Sequence, residues 1–205
     1  MKKLNTYHLV VAAMLSAIAF VLMSLEFPIP ALIPGFIKMD FSDLPALLGA
    51  FAIGPVYGIV ISLIKNLLNV LIQGTTTQYV GELCNFLLGA AFSFSAGLIY
   101  NHRKNKKTAI IASVVGAVVM GVISIPVNYF ISYPLYASLF GGMDNIIGAY
   151  KAILPSVKSL MECLVIFNLP FTVVKGLCCS IICLIIYKPL SPILHGSFLA
   201  GKEDK

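Results

Sequence analysis

In a chain this apolar, chemistry belongs to the few side chains that carry a charge, an amide or a hydroxyl. Lys38, Asp40 and Asp43 stand directly against a short apolar run, and the next run carries Lys65 and Asn66. Glu82 and Asn85, then Asn128, then Asn168, Thr172 and Lys175 interrupt segments otherwise dominated by Leu, Ile, Val, Ala, Gly and Phe. Such groups are costly in an apolar interior unless they face water, one another or a ligand. A phosphorylated ligand would draw on several converging cations, and only Lys38, Lys175 and Lys65 are at hand. The set suits a neutral, flat molecule that carries donors, acceptors and hydroxyls. No G-x-x-x-x-G-K-[ST], nucleophile elbow, HExxH or GxGxxG accompanies it, and no inverted repeat marks a secondary transporter. Uphill movement of a ligand would therefore draw its energy from another protein.

The elements that must position these groups are membrane helices. Hydrophobic residues make up 59% of the chain and charged residues 11%, with a mean hydropathy of +0.96. Soluble domains carry roughly 25% charged residues, so too little charge is left to cover a water-facing surface. This predicts an all-α integral membrane protein, one helical bundle using the whole chain. The net charge of +6 does not point to nucleic acid, because the basic residues sit at the ends and in one loop between apolar segments. Cys84, Cys163, Cys178, Cys179 and Cys183 lie in or beside apolar segments without metal-type spacing and read as small packing residues, with no metal site. The N-terminal apolar run is too long for a signal-peptide core and ends at Glu26-Phe27-Pro28 without a small-x-small site, so it is read as a retained first span.

Six spans are predicted, about 7–25, 41–53, 56–72, 79–100, 108–133 and 159–187. The second is too short to cross a bilayer unaided; Pro45 falls in its first turn, with Ser42 or Asp43 as its cap. Residues 26–40 hold three prolines and a glycine, which excludes a continuous helix and points to a partly buried loop or lid. Gly54-Pro55 makes a tight turn into span three. Gly89, Ser93 and Gly97 form a small-residue strip on span four. Residues 134–158 are expected to be a mixed loop with a short interfacial helix. In span one, Ala13 and Ala17 form a flat strip where another helix can approach, whether within the bundle or from outside.

Six spans place both termini on one side, with Lys2, Lys3, Arg103, Lys104, Lys106, Lys107, Lys188, Lys202 and Lys205, against Lys38, Lys151 and Lys158 opposite. The bias puts the termini in the cytoplasm and the polar clusters toward the outer half, around one outward-opening cavity. Structural roles compete for several residues. Lys65 is expected to tie to Glu82 or Asp43. Glu82 suits its own helix start. Asn128 and Thr172, each two residues after a proline, are placed to satisfy a freed carbonyl. Lys175 has no acid within a turn and needs a distant carboxylate, carbonyls or a ligand.

KMDFSDLPALLGAFAIGPVYG, then ISLIKNLL, IPVNYF, FNLPFTVVKG and IIYKPLSPIL together resemble the riboflavin-binding S components of energy-coupling factor (ECF) transporters. The resemblance covers nearly the whole chain in order. It implies a six-helix S-component fold, a single transmembrane substrate-binding domain over residues 1–205 in a bacterial cell membrane. It also implies a shared transmembrane coupling subunit and two cytoplasmic ATPases as partners, with the S component toppling in the membrane during transport. Riboflavin enters as transported substrate; no cofactor, metal or catalytic residue is implied. By resemblance, Asn128 and Lys175 contact the ligand, with Thr172 standing where relatives often have asparagine. The loop before span two offers Lys38, Met39, Asp40 and Phe41. Glu82 and Asn85 complete the expected set, and Ala13 and Ala17 resemble the docking surface for the coupling subunit. Two alternatives stand beside this one. An S component for thiamine would want an acidic cage and more stacking aromatics, and the chain has no tryptophan. A membrane enzyme using Lys175 as base or nucleophile would need Glu82 beside it.

Overall fold

A computed structural model describes residues 6–194; Lys2, Lys3, Lys202 and Lys205 of the charge argument lie outside them. The helices in chain order are α1 (Thr6–Ser24), α2 (Asp43–Ala52), α3 (Pro55–Gln73), α4 (Val80–His102), α5 (Lys106–Val127), α6 (Tyr133–Leu139), α7 (Met143–Lys151), α8 (Leu160–Cys163) and α9 (Leu169–Leu194). Two five-residue π-helical turns join them, π1 (Asn128–Ser132) between α5 and α6 and π2 (Leu164–Asn168) between α8 and α9. Among the described residues, five stretches are long and apolar enough to cross a membrane: Thr6–Ser24, Pro55–Gln73, Val80–His102, Lys106–Leu139 and Leu160–Tyr187. The expected second span is the ten-residue α2, too short for that criterion.

That short helix is the structural centre. Every residue of α2 is buried, and α1, α3, α4 and α9 all pack on it. The helix is hydrophobic all round, as a fully enclosed one must be. Gly54, at φ +129°, reverses the chain, and Pro55 opens α3 at a position where its missing N–H is no loss. The small strip on α4 faces inward. A β-carbon on Gly89 would lie 2.5 Å from Asp43 Oδ1, and one on Gly97 2.9 Å from the Pro55 backbone. Asn105 caps α5 by accepting from the Thr108 N–H at 2.8 Å.

The structure refines two expectations. The chain is not wholly helical, because Phe27–Pro28 (β1) pairs antiparallel with Lys38–Met39 (β2), closing residues 26–40 into a small hairpin. At the start of α2, Ser42 stands at the N-cap as expected, but its side chain makes no capping bond; its hydroxyl accepts from Lys65 instead.

The two π turns share one cause. Each lies two residues before a proline, Pro134 after π1 and Pro170 after π2. A proline ring crowds the carbonyl four residues back and cannot bond to it. The chain widens just ahead of each proline, so that Tyr133 N–H reaches Asn128 O and Leu169 N–H reaches Leu164 O, five residues back.

Candidate functional site

A cavity of about 420 Å³ opens at the end of the bundle formed by the hairpin, the threonine-containing loop 74–79 between α3 and α4, and the two π turns. Its size falls in the usual range for small-molecule sites. Asp40, Glu82, Asn85, Asn128, Thr172 and Lys175 all line it, and Lys38 stands at its edge. Residues from both halves of the chain are thus brought to one hollow. Met39 is buried in the hairpin and Phe41 packs on the core beside α2; neither lines the cavity. Ala13 and Ala17 lie on the exposed face of α1, while Ala12 and Ser16 face inward.

The floor is a buried charge network. Lys175 Nζ donates to Asp40 Oδ2 at 2.7 Å and lies 3.7 Å from Asp43 Oδ2. Lys65 Nζ donates to Asp43 Oδ1 at 2.5 Å and to Ser42 Oγ at 2.6 Å. Two ammoniums and two carboxylates leave the floor electroneutral, the condition under which buried charge is tolerable. Burial alone would raise the Asp40 carboxyl; the Lys175 ammonium, helped by Lys65, overrides it and holds the group down at about 2. Asp40 is therefore an anion, and Lys175 has the distant carboxylate its position demands. Of the two partners expected for Lys65, the structure selects Asp43.

The walls are polar but individually tethered. Glu82 Oε2 accepts from the hydroxyls of Thr75 and Thr77 at 3.1 and 3.2 Å. It organises the loop rather than capping α4, whose start is instead bonded by Thr77 Oγ1 accepting from Gly81 N–H. Ser132 donates to Asn128 Oδ1 at 3.0 Å across π1, so Asn128 is tied within its own turn. Lys38 pairs with Glu26 at the exposed rim. Among the described residues, Lys175 pairs with Asp40 and Asp43 and Glu82 with the two threonines.

Some lining residues carry no mark in the sequence. Ile33, Phe36, Ile37 and Phe171 bring apolar surface, and an apolar residue in an apolar chain reads as core. Asn69 and Gln73 also line the cavity; their spacing of four on α3, after Lys65, was the available signal. Tyr133, Tyr136 and Asn168 complete the wall beside the π turns, turns of a kind frequent at functional sites.

Residues 7–187 match the family described as "ECF transporter, substrate-specific component". Among similar proteins, the riboflavin transporter RibU of Staphylococcus aureus is 37% identical over 196 residues, 94% of this chain and 96% of the relative. The riboflavin transporter FmnP of Bacillus subtilis is 33% identical, over 90% of this chain and 92% of its own length. A solved structure described as the S component of a bacterial ECF transporter superposes with a TM-score of 0.70 at 36% identity, covering 91% of this chain and 96% of the other. With a family match over residues 7–187, relatives at 37% and 33% identity over most of the chain and a matching solved fold, the chain belongs to the substrate-specific components of ECF transporters.

Proposed function

We propose that this protein is a riboflavin-binding membrane subunit that takes up the vitamin together with an ECF energy-coupling module. One observation carries the reading: six polar side chains expected from sequence to contact a ligand line one cavity, in a chain whose relatives are named riboflavin transporters. Riboflavin is a neutral flat ring with a uracil-like edge and a hydroxylated chain. Asn128 serves the edge, while Lys175, Thr172, Asp40, Glu82 and Asn85 serve the remaining polar groups. Phe36 and Phe171, rather than Phe41, supply apolar surface to the ring. The electroneutral floor favours an uncharged ligand.

The full assembly includes a transmembrane coupling subunit and two cytoplasmic ATPases, which supply the energy this chain lacks. The outward face of α1, with Ala13 and Ala17, docks the coupling subunit. The termini lie in the cytoplasm of a bacterial cell, α2 counts as the sixth, enclosed helix of the bundle, and the cavity opens outward.

The test is flavin fluorescence. Protein purified in detergent is expected to quench added riboflavin stoichiometrically, and Lys175→Ala to weaken binding at least tenfold, about 1.4 kcal/mol. No quenching by the unmodified chain would overturn the substrate; undiminished affinity in Lys175→Ala would remove Lys175 from the site.

A further inference from the structure

Beside the cavity, three polar groups close on one another within an otherwise apolar cluster. Tyr150 OH donates to Asn168 Oδ1 at 2.6 Å, Asn168 Nδ2 donates to Tyr133 OH at 2.8 Å, and the two tyrosine hydroxyls are bonded to each other. A hydroxyl has one proton. Tyr150 spends its proton on the amide oxygen, so Tyr133 must donate to Tyr150, and the three bonds run in one direction around a closed ring. Burial and the neighbouring Tyr133 raise the Tyr150 phenol above its ordinary value, keeping it a donor. Tyr133 and Tyr150 are 1% and 0% exposed, so the ring's own members are the partners of these hydroxyls.

The ring's members come from three places. Tyr133 is the first residue after π1, Asn168 is the last residue of π2, and Tyr150 is in α7. The two widened turns, which carry Asn128 and Asn168 into the cavity wall, are thus joined through a short helix outside the long spans. Asn168 keeps one N–H and one lone pair free of the ring, and the ring decides which end of the amide faces which way. Phe36 of the hairpin packs edge-on against both tyrosines at 6.4 and 6.2 Å.

We infer that Tyr150, which does not itself line the cavity, is a positioning residue for the ligand site: its hydroxyl sets the Asn168 amide and locks the two π turns in register. The inference rests on the reading of this cavity as the riboflavin site. Tyr150→Phe leaves Asn168 Oδ1 without its donor and Tyr133 without its acceptor, both on buried side chains.

The test uses the full chain in detergent, with Ile146→Val as control; Ile146 is buried in the same cluster but outside the ring. In the ligand-free protein, Tyr150→Phe is expected to speed amide hydrogen exchange in residues 128–133 and 164–169, and Ile146→Val is not. Unchanged exchange in Tyr150→Phe overturns the proposal whether or not riboflavin binds. With riboflavin, Tyr150→Phe is expected to weaken affinity about tenfold, as loss of a buried bond partner does. In an Asn168→Leu background it is expected to add nothing, the mark of groups acting as one unit. Equal losses in both backgrounds, or no loss in the native one, overturn the proposal. An unmodified chain that fails to bind riboflavin overturns the substrate reading instead and leaves the exchange result to decide the ring. If Tyr150→Phe does not fold, Tyr133→Phe opens the same ring and is judged by the same exchange criterion.

Discussion

Lys65 and Lys175 are both buried ammoniums, yet their surroundings separate them. Lys65 is fully enclosed, bonded to Asp43 and Ser42, and does not line the cavity. Lys175 reaches the cavity and shares itself between Asp40 and Asp43. Lys65 is therefore a tie between α2 and α3, and its removal strands a buried carboxylate. Breaking a buried pair costs about 3–5 kcal/mol. Lys65→Met is expected near the lower end, because Lys175 stands 3.7 Å from the other oxygen of Asp43 and shields part of its charge. Thermal unfolding in detergent measures this, and Lys65→Met combined with Asp43→Leu should recover most of the loss. A change under about 1 kcal/mol in the single variant would mean that the tie contributes no more than an exposed pair. The sequence made the need for partners plain, since a lysine cannot sit unpaired among leucines. It left the choice open, because Asp40 and Lys175 are 135 positions apart and nothing in spacing joins them. Phe36 and Phe171 escaped notice because an aromatic in a greasy chain looks the same whether it faces a ligand or a neighbour.

At the scale of the element, α2 depends on how closely its neighbours approach. Gly89 brings α4 against the buried Asp43, and a β-carbon there would lie 2.5 Å from Asp43 Oδ1 and 2.7 Å from Ser62 Oγ. Asp43 cannot retreat without lengthening its bond to Lys65. Gly89→Ala is expected to destabilise by about 1–3 kcal/mol, as overpacking does. Gly148 in α7 has nothing within 4 Å of its added carbon, so Gly148→Ala should instead stabilise by about 0.5–1 kcal/mol through helix propensity. Equal effects at the two sites, read from unfolding midpoints, would refute the close-packing account. The strip containing Gly89 was visible as small residues four apart, and so were the long apolar runs. The hairpin and the π turns were not. Two-residue strands have no periodicity to read, and a π turn adds one residue to a helix without changing its composition. Only the prolines two positions later hint at the widening.

The molecule as a whole has two polar ends joined by the buried helix α2 and the helices packed on it. The polar cavity is built from the loops and π turns at one end of the bundle, and Arg103 and Lys104, between α4 and α5, gather with Lys106 and Lys107 of the first turn of α5 at the other. The exposed face of α1 runs between them with Ala13, Met14, Ala17 and Ile18 outward. Either lipid or another protein's helix covers that face, and the two leave different signatures. Lipid accepts any apolar side chain, whereas a close helix contact on a small-residue strip tolerates no bulk. Ala13→Phe and Ala17→Phe, alone and together, are therefore expected to leave riboflavin affinity within about twofold, because neither position lines the cavity and isolated exposed changes are usually near-neutral. Uptake in cells supplied with the coupling module should nevertheless be abolished in the double variant, and co-purification of the coupling subunit lost. Full uptake by the double variant would assign the face to lipid and send the search for the docking surface to another helix. Loss of affinity together with uptake would mean that α1 shapes the cavity through α2, on which its inner face packs.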